Sequence, residues 1–174
     1  MAKTVFLTLE RETDHDAVES LLDSCFGIER HKRVSYRFRQ GRDPEKRLCW
    51  LALDESTSIR ASIRYWQVGI DGQDTSVLLL GPLAVEPSMR GLGLANRLMT
   101  HTLDLVARTD VSLVFLVGVP ELYARWGFVS AVAHGYAMPW PFERRRFLVR
   151  EIQPGAIVTA TKGAALKNIV PLKR

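Results

Sequence analysis

The run from Leu79 to Ala95, LLGPLAVEPSMRGLGLA, constrains the fold more than any other stretch of the chain. An apolar run of strand type ends in a turn, and Gly91 and Gly93, one residue apart, then open an amphipathic helix. The apolar positions of that helix, Ala95, Leu98, Met99, Leu103 and Val106, recur at helical spacing and share one face. A strand feeding a helix through a glycine loop aims the free N–H groups of the first helical turn outward, and glycines let an anion approach that backbone closely. Arg90 adds a fixed positive charge suited to bidentate phosphate contact. The order of parts is that of a phosphate cradle.

Alone, Gly-x-Gly at a helix start is a weak signal, because turns use glycine for their own reasons. A dinucleotide fingerprint requires a further glycine where Asn96 stands, and a P-loop requires a Gly-Lys-Ser/Thr ending that is absent. A second segment about thirty residues on strengthens the signal. VFLVGVPELYARWGF, from Val114 to Phe128, reads as a buried-type strand, a short helix carrying Tyr123, and an aromatic-Gly-Phe turn into another strand.

Arg90-Gly91-Leu92-Gly93-Leu94-Ala95 and Tyr123-Ala124-Arg125-Trp126-Gly127-Phe128 together resemble the two central motifs of the GNAT superfamily of acyl-CoA-dependent N-acyltransferases. The first motif there reads Gln/Arg-x-x-Gly-x-Gly/Ala and the second Tyr-x-x-x-Gly-Phe. The second is complete in Tyr123, Gly127 and Phe128; in the first, Ser88 stands at the Gln/Arg position and Arg90 supplies the nearby charge. Gly118 and Val119 stand where many members carry Asn or Asp. The resemblance covers residues 4–152, with its specific core at 79–128.

It implies an α+β fold, a GNAT-like mixed, centrally parallel sheet flanked by helices. It implies that the strand ending Leu83-Ala84-Val85 bulges and splays from the 113–117 strand. Backbone groups of Leu83 and Val85, with Ala84 between them, would hold the pantetheine arm of acetyl-CoA and polarise the thioester carbonyl. Arg90, Gly91, Leu92, Gly93, Leu94 and Ala95 would hold the pyrophosphate, and Tyr123 would return a proton to the departing thiolate. A phenol with an ordinary pKa near 10 is protonated at neutral pH and can donate. Acetyl-CoA is the implied co-substrate, with no metal.

At 174 residues the chain suits one domain over 1–153, with a tail over 154–174 packed on it. No apolar run approaches the roughly 20 residues of a membrane-spanning helix. The N-terminus reaches Glu10 too soon for a secretory leader. Cys25 on a helix and Cys49 in a strand lack metal-ligand spacing and read as buried, reduced thiols, so the expected compartment is the cytoplasm. The net charge of +5 is uneven: eight basic residues crowd 30–47, interleaved with Tyr36 and Phe38, and Arg144, Arg145 and Arg146 form a second cluster. Basic residues among aromatics fit an RNA-binding surface. A solvated helix face that steers a polyanionic coenzyme is the plainer account.

Periodicity and turn residues predict a strand at 4–9 and a helix capped by Thr13 and closed by Gly27. A polar helix over 29–39, strands at 48–53, 59–68 and 76–85, and the helix after Gly91 follow. Further strands are expected at 112–117, 128–133 and 147–152, with a loop-like tail and a short helix around 164–167. His15, His31, His101 and His134 are scattered, His101 on a presumed solvent face, and no general base stands out. The reading is an N-acetyltransferase in which a primary amine attacks directly in a ternary complex, since no cysteine at a motif position suggests a covalent acyl-enzyme. An acetyltransferase acting on charged tRNA and a catalytically silent acyl-CoA-binding or partner-binding module are the rival readings, and a homodimer is left open.

Overall fold

The computed structural model describes residues 4–157 and 165–172. Four strands, β1 (Val5–Leu9), β2 (Trp50–Asp54), β3 (Ile59–Ile70) and β4 (Gln73–Val85), form an antiparallel meander. The next strand, β5 (Leu113–Val117), lies parallel to β4, from Val77 opposite Leu113 to Leu80 opposite Leu116. Beyond it come β6 (Val129–Ser130), β7 (Tyr136–Ala137) and β8 (Phe147–Glu151), with β8 antiparallel to β5 and β6 at its outer side. The last strand, β9 (Lys167–Pro171), pairs antiparallel with the end of β3 and parallel with β7.

Among the described residues three α-helices accompany the sheet: α1 (His15–Phe26), α2 (Leu94–Val106) and the single turn α3 (Pro120–Tyr123). On one face α2 buries Leu98, Met99 and Leu103 against Ile63, Tyr65, Leu78 and Leu80. On the other, Val18, Leu21 and Leu22 of α1 cover Leu51 and Ala84, and Val77 and Leu79 join Phe115 and Phe147. The centre of β4 is therefore buried from both sides, which is why Val77–Leu80 reads as a continuous apolar run rather than an alternation. The mixed, centrally parallel sheet between helices is the expected fold.

Several local expectations differ. A 3-10 turn over Glu12–Asp14 precedes α1, and Asp14, held by the backbone and guanidinium of Arg11, takes the N-cap position in place of Thr13. Residues 29–39 form two 3-10 turns, Ile28–Lys32 and Val34–Phe38, separated by extended Arg33. That segment has no apolar stripe to drive a helix, and tertiary pairing of Arg30 and burial of Phe38 set its path instead. The strand expected over 128–133 stops at Ser130, whose hydroxyl accepts the Ala133 N–H of the following 3-10 turn. In the tail, Lys167 begins a strand rather than closing a helix, and Ala164 lies outside the described residues. His101 is not on a bare solvent face: its ring packs edge-on against Trp50, with centroids 4.0 Å apart.

Candidate active site

The site begins with one extra residue in β4. Ile63 pairs with Leu83 and Tyr65 with Leu80, so β4 uses three residues where β3 uses two. The excess falls at Gly81-Pro82, and Gly81 sits at φ +122°, a conformation that favours glycine. The parallel pairing with β5 ends at the same level, Leu80 with Leu116 being its last pair. From Gly81 onward β4 stays on β3 while β5 departs, and a wedge opens between them. Glu86 donates its N–H to the Arg60 carbonyl of β3 at 2.8 Å. Alternation then turns the backbone N–H and C=O of Leu83 and Val85 away from β3, toward the wedge. In agreement, the Val85 carbonyl accepts the Cys25 thiol of α1 at 3.3 Å.

Beyond β4 the chain makes a 3-10 turn at Pro87–Met89 and enters α2 through Gly91 and Gly93, at φ +80° and +77°. No side chain caps α2 at Gly93, so the N–H groups of Leu94, Ala95 and Asn96 have no acceptor within the helix. They face a cavity of about 330 Å³ whose walls include Leu83, Val85, Arg90, Gly91, Gly93 and Tyr123. Ala84 is packed under α1 and Leu92 is exposed, and neither lines that cavity. A Cβ on Gly91 or Gly93 would meet nothing within 4 Å, so positive φ, rather than crowding by protein atoms, holds glycine there. Ser88 turns its hydroxyl onto Glu86, and Glu86 pairs with Arg60.

Tyr123 stands where this cavity meets a second, of about 170 Å³, that enters the wedge past Leu83 and Gly118. Its ring lies directly over Gly118: a Cβ there would come within 2.3 Å of the Tyr123 ring. Trp126 and Phe128 flank the ring, centroids 5.9 and 6.0 Å away. Burial pushes the phenol above its ordinary value of 10, with nearby Arg146 opposing, so the hydroxyl is protonated at neutral pH. No Asp, Glu or His among the described residues lines either cavity.

Those groups line a third space, of about 330 Å³, on the α1 face, which shares Tyr36, Arg39 and Pro82 with the second cavity. Arg64 of β3 pairs there with Glu10 and Glu19, and Arg30 with Glu19 and Asp23, while the Tyr36 hydroxyl accepts Arg30 Nη1 at 2.8 Å. Burial works against the Arg30 charge, and the hydrogen bonds to Glu19, Tyr36 and Asp23 outweigh it and raise the pKa. Phe38 is wholly buried and Tyr36 lies beneath Arg39, so neither aromatic of the basic segment is displayed as a stacking platform. The sequence reading missed Arg39 and Arg146, because nothing local distinguishes either from the arginines around it. Gly118 was visible only as a departure from the family pattern. Burial pushes the Cys49 thiol up to about 12, and no metal-binding cluster occurs among the described residues.

A wedge between two parallel strands, opened by a bulge and set beside an uncapped helix N-terminus, is the arrangement that the resemblance to the GNAT superfamily implies. Comparison with known proteins agrees. The family model described as the acetyltransferase (GNAT) domain matches residues 8–131, and the chain belongs to the GNAT family of N-acetyltransferases. A curated relative, the uncharacterized N-acetyltransferase YhbS of Escherichia coli, is 26% identical over 153 residues, covering 88% of this chain and 90% of that protein. The crystal structure of E. coli YhbS in complex with CoA superposes with a TM-score of 0.81 at 24% identity, covering 97% of this chain and 91% of that one. A GNAT family acetyltransferase from Brucella melitensis in complex with acetyl-CoA gives a TM-score of 0.67 at 16% identity, covering 87% and 90%. Among the described residues, no helix is long and apolar enough to cross a membrane.

Proposed function

We propose that the protein transfers an acetyl group from acetyl-CoA to a primary amine, by direct attack with both substrates bound. The observation that carries this reading is the parting of β4 from β5 after Leu80 and Leu116, next to the uncapped start of α2. Related proteins crystallised with CoA and acetyl-CoA support it. The residues present fit such a ligand. Unpaired donors of Leu94, Ala95 and Asn96, with Arg90, suit a pyrophosphate. The edge at Leu83 and Val85, where the Val85 carbonyl is in contact with the Cys25 thiol, suits an amide-bearing arm that adds to the sheet like another strand.

When bound, acetyl-CoA supplies an activated acyl group and a thiolate leaving group. An N–H at Leu83 or Val85 meets the negative charge that develops on the carbonyl oxygen. The new N–C bond forms as the C–S bond breaks, and Tyr123 gives its proton to the sulfur. Neither cavity beside Tyr123 carries a described carboxylate or imidazole, so at the wedge the amine sheds its proton to water or arrives deprotonated. The Cys25 thiol, held on the Val85 carbonyl and pushed by burial above its ordinary value, argues against a covalent acyl-enzyme there.

A thermal-shift titration tests the donor half. Ligand bound only to the native state adds about 2.7 kcal/mol at a hundredfold excess over Kd, so millimolar acetyl-CoA should raise the melting temperature. CoA-thiol release with a panel of amines tests the acceptor half. No melting shift overturns the donor assignment; a shift without turnover on any amine favours a silent binding module.

A further inference from the structure

Among the described residues of the third cavity, on the α1 face, one buried cation has no carboxylate partner. Arg39 is 9% exposed; among the described residues its Nε and Nη1 have no hydrogen-bond partner, and its polar contact is with the Tyr36 hydroxyl. The guanidinium lies over Tyr36, 4.4 Å from the ring centroid, with Trp66 on another side at 5.8 Å. Its neighbours are fully matched: Glu10 and Glu19 are taken by Arg64, and Glu19 and Asp23 by Arg30. Arg42, at the rim, gives Nη2 to the Leu172 carbonyl. Burial, reinforced by Arg64 and Arg30, pushes the Arg39 pKa down to about 10, so it keeps its charge at neutral pH. A buried charge with a phenol but no carboxylate beside it is costly to the fold. Its position gives it a use: Nη2 is 3.3 Å from the point a Cβ on Gly81 would occupy, at the mouth of the wedge.

We propose that the acetyl acceptor is an amine that also carries a carboxylate, an amino acid or a molecule of that kind, and that Arg39 binds the carboxylate. The inference rests on the acetyltransferase reading and specifies its substrate class. A guanidinium N–H makes a charge-assisted hydrogen bond to a carboxylate oxygen, and Nη2, the nitrogen beside Gly81, is the one placed to give it. In an α-amino acid the amine is only two bonds from the carboxylate carbon, so an acid seated on Arg39 beside Gly81 holds its nitrogen at the entrance to the wedge. Among the described residues Arg30 and Arg64 are paired with Glu10, Glu19 and Asp23, and Arg42 holds the Leu172 carbonyl, which leaves Arg39 as the guanidinium of the cavity without a carboxylate. One such charge suits a monoanion. A phosphate dianion would add a second negative charge facing Glu10 and Glu19, and a polyamine would meet four guanidinium groups.

Acetylation rates decide the matter. The probes are the twenty standard L-amino acids, their α-amides, and spermidine and butylamine as amines without a carboxylate, each with acetyl-CoA. The proteins are wild type, Arg39→Met and Arg39→Lys. At least one amino acid should exceed its own amide in kcat/KM by about 30-fold or more, the size of effect expected from a buried charge-assisted pair. Arg39→Met should abolish that preference and Arg39→Lys restore part of it. The unliganded melting temperature of Arg39→Met should not fall, since an uncompensated charge has been removed; if that variant fails to fold, the acid-to-amide ratio in wild type and Arg39→Lys decides. Amides or carboxylate-free amines acetylated as well as every amino acid overturn the proposal, as does a preference unchanged in Arg39→Met. Absence of both an acetyl-CoA melting shift and thiol release overturns the acetyltransferase reading and this inference with it, whereas a melting shift with turnover only of carboxylate-free amines overturns this inference alone.

Discussion

Tyr123 occupies the junction of two cavities, and its ring rests where any side chain at position 118 would have to go. Two substitutions separate its roles. Tyr123→Phe keeps the ring against Trp126 and Phe128 and removes only the hydroxyl, for which no hydrogen-bond partner is seen among the described residues, so stability should change by about 1 kcal/mol or less. If that hydroxyl protonates the thiolate, kcat in single-turnover measurements should fall roughly 100-fold while the acetyl-CoA Kd stays near wild type. Undiminished kcat would assign the proton to another donor. Gly118→Ala should move the ring and reproduce the kcat loss with the hydroxyl still present; an unaffected rate would mean the ring position is unimportant. Burial lifts the phenol above 10, so ionisation of Tyr123 should not limit the rate below about pH 10. Gly93 illustrates a limit on such tests. At φ +77° a valine there would strain the backbone as well as block a ligand, so loss of binding in Gly93→Val would be ambiguous. Arg90→Glu is cleaner, because Arg90 is exposed. The acetyl-CoA Kd should rise about tenfold at low salt and the difference should shrink as salt screens it. An unchanged Kd at low salt would place the phosphates away from Arg90.

At the scale of elements, α1, the segment after it and β3 are joined by ions rather than by a continuous apolar seam. Glu19 of α1 accepts Arg30 Nη2 at 2.6 Å and Arg64 Nη1 at 2.7 Å. Burial pushes the Glu19 pKa up, but the hydrogen bonds from Arg30 and Arg64 outweigh it and hold the carboxyl below its ordinary value of 4.5. Because the folded pKa is depressed, the unfolded chain binds more protons near pH 4, and stability falls as pH drops through the folded value. Glu19→Gln should lower the urea-unfolding free energy at pH 7 by about 2 kcal/mol, since two buried arginines lose part of their pairing and Glu19 itself is partly hydrated. The same variant should flatten the acid limb below pH 4.5, where the wild type is losing this contribution. Equal acid slopes in the two proteins would rule out Glu19 as a source of the pH dependence. The two 3-10 turns at Ile28–Lys32 and Val34–Phe38 follow from the same demand, for they carry Arg30 and Arg39 under the α1 face.

At the scale of the molecule, the wedge sits where a bulge on one side of β4 coincides with the end of parallel pairing on the other. The groups proposed to hold the coenzyme, on the α2 side, and the arginine proposed to hold the acceptor, on the α1 side, thus approach one opening from opposite faces of the sheet. Much of this could be read from the chain alone, because it is written in local chemistry. The buried-type run Val77–Leu80, the glycine entry into α2 and the Tyr123-to-Phe128 turn each impose their geometry within a few residues. The helical stripe of α2 and the meander of β2, β3 and β4 follow from periodicity and turn residues in the same way. What the tertiary structure decided depends on partners far along the chain. Residues 29–39 contain charge but no apolar period, so their path waited on Glu19 and Asp23, and β9 could become a strand only where β3 left an edge open beyond β2. Likewise, eight basic residues between 30 and 47 look alike in sequence. Whether each is solvated, matched or left unpaired depends on the carboxylates that α1 and β1 bring near it, and that long-range pairing is what singles out Arg39.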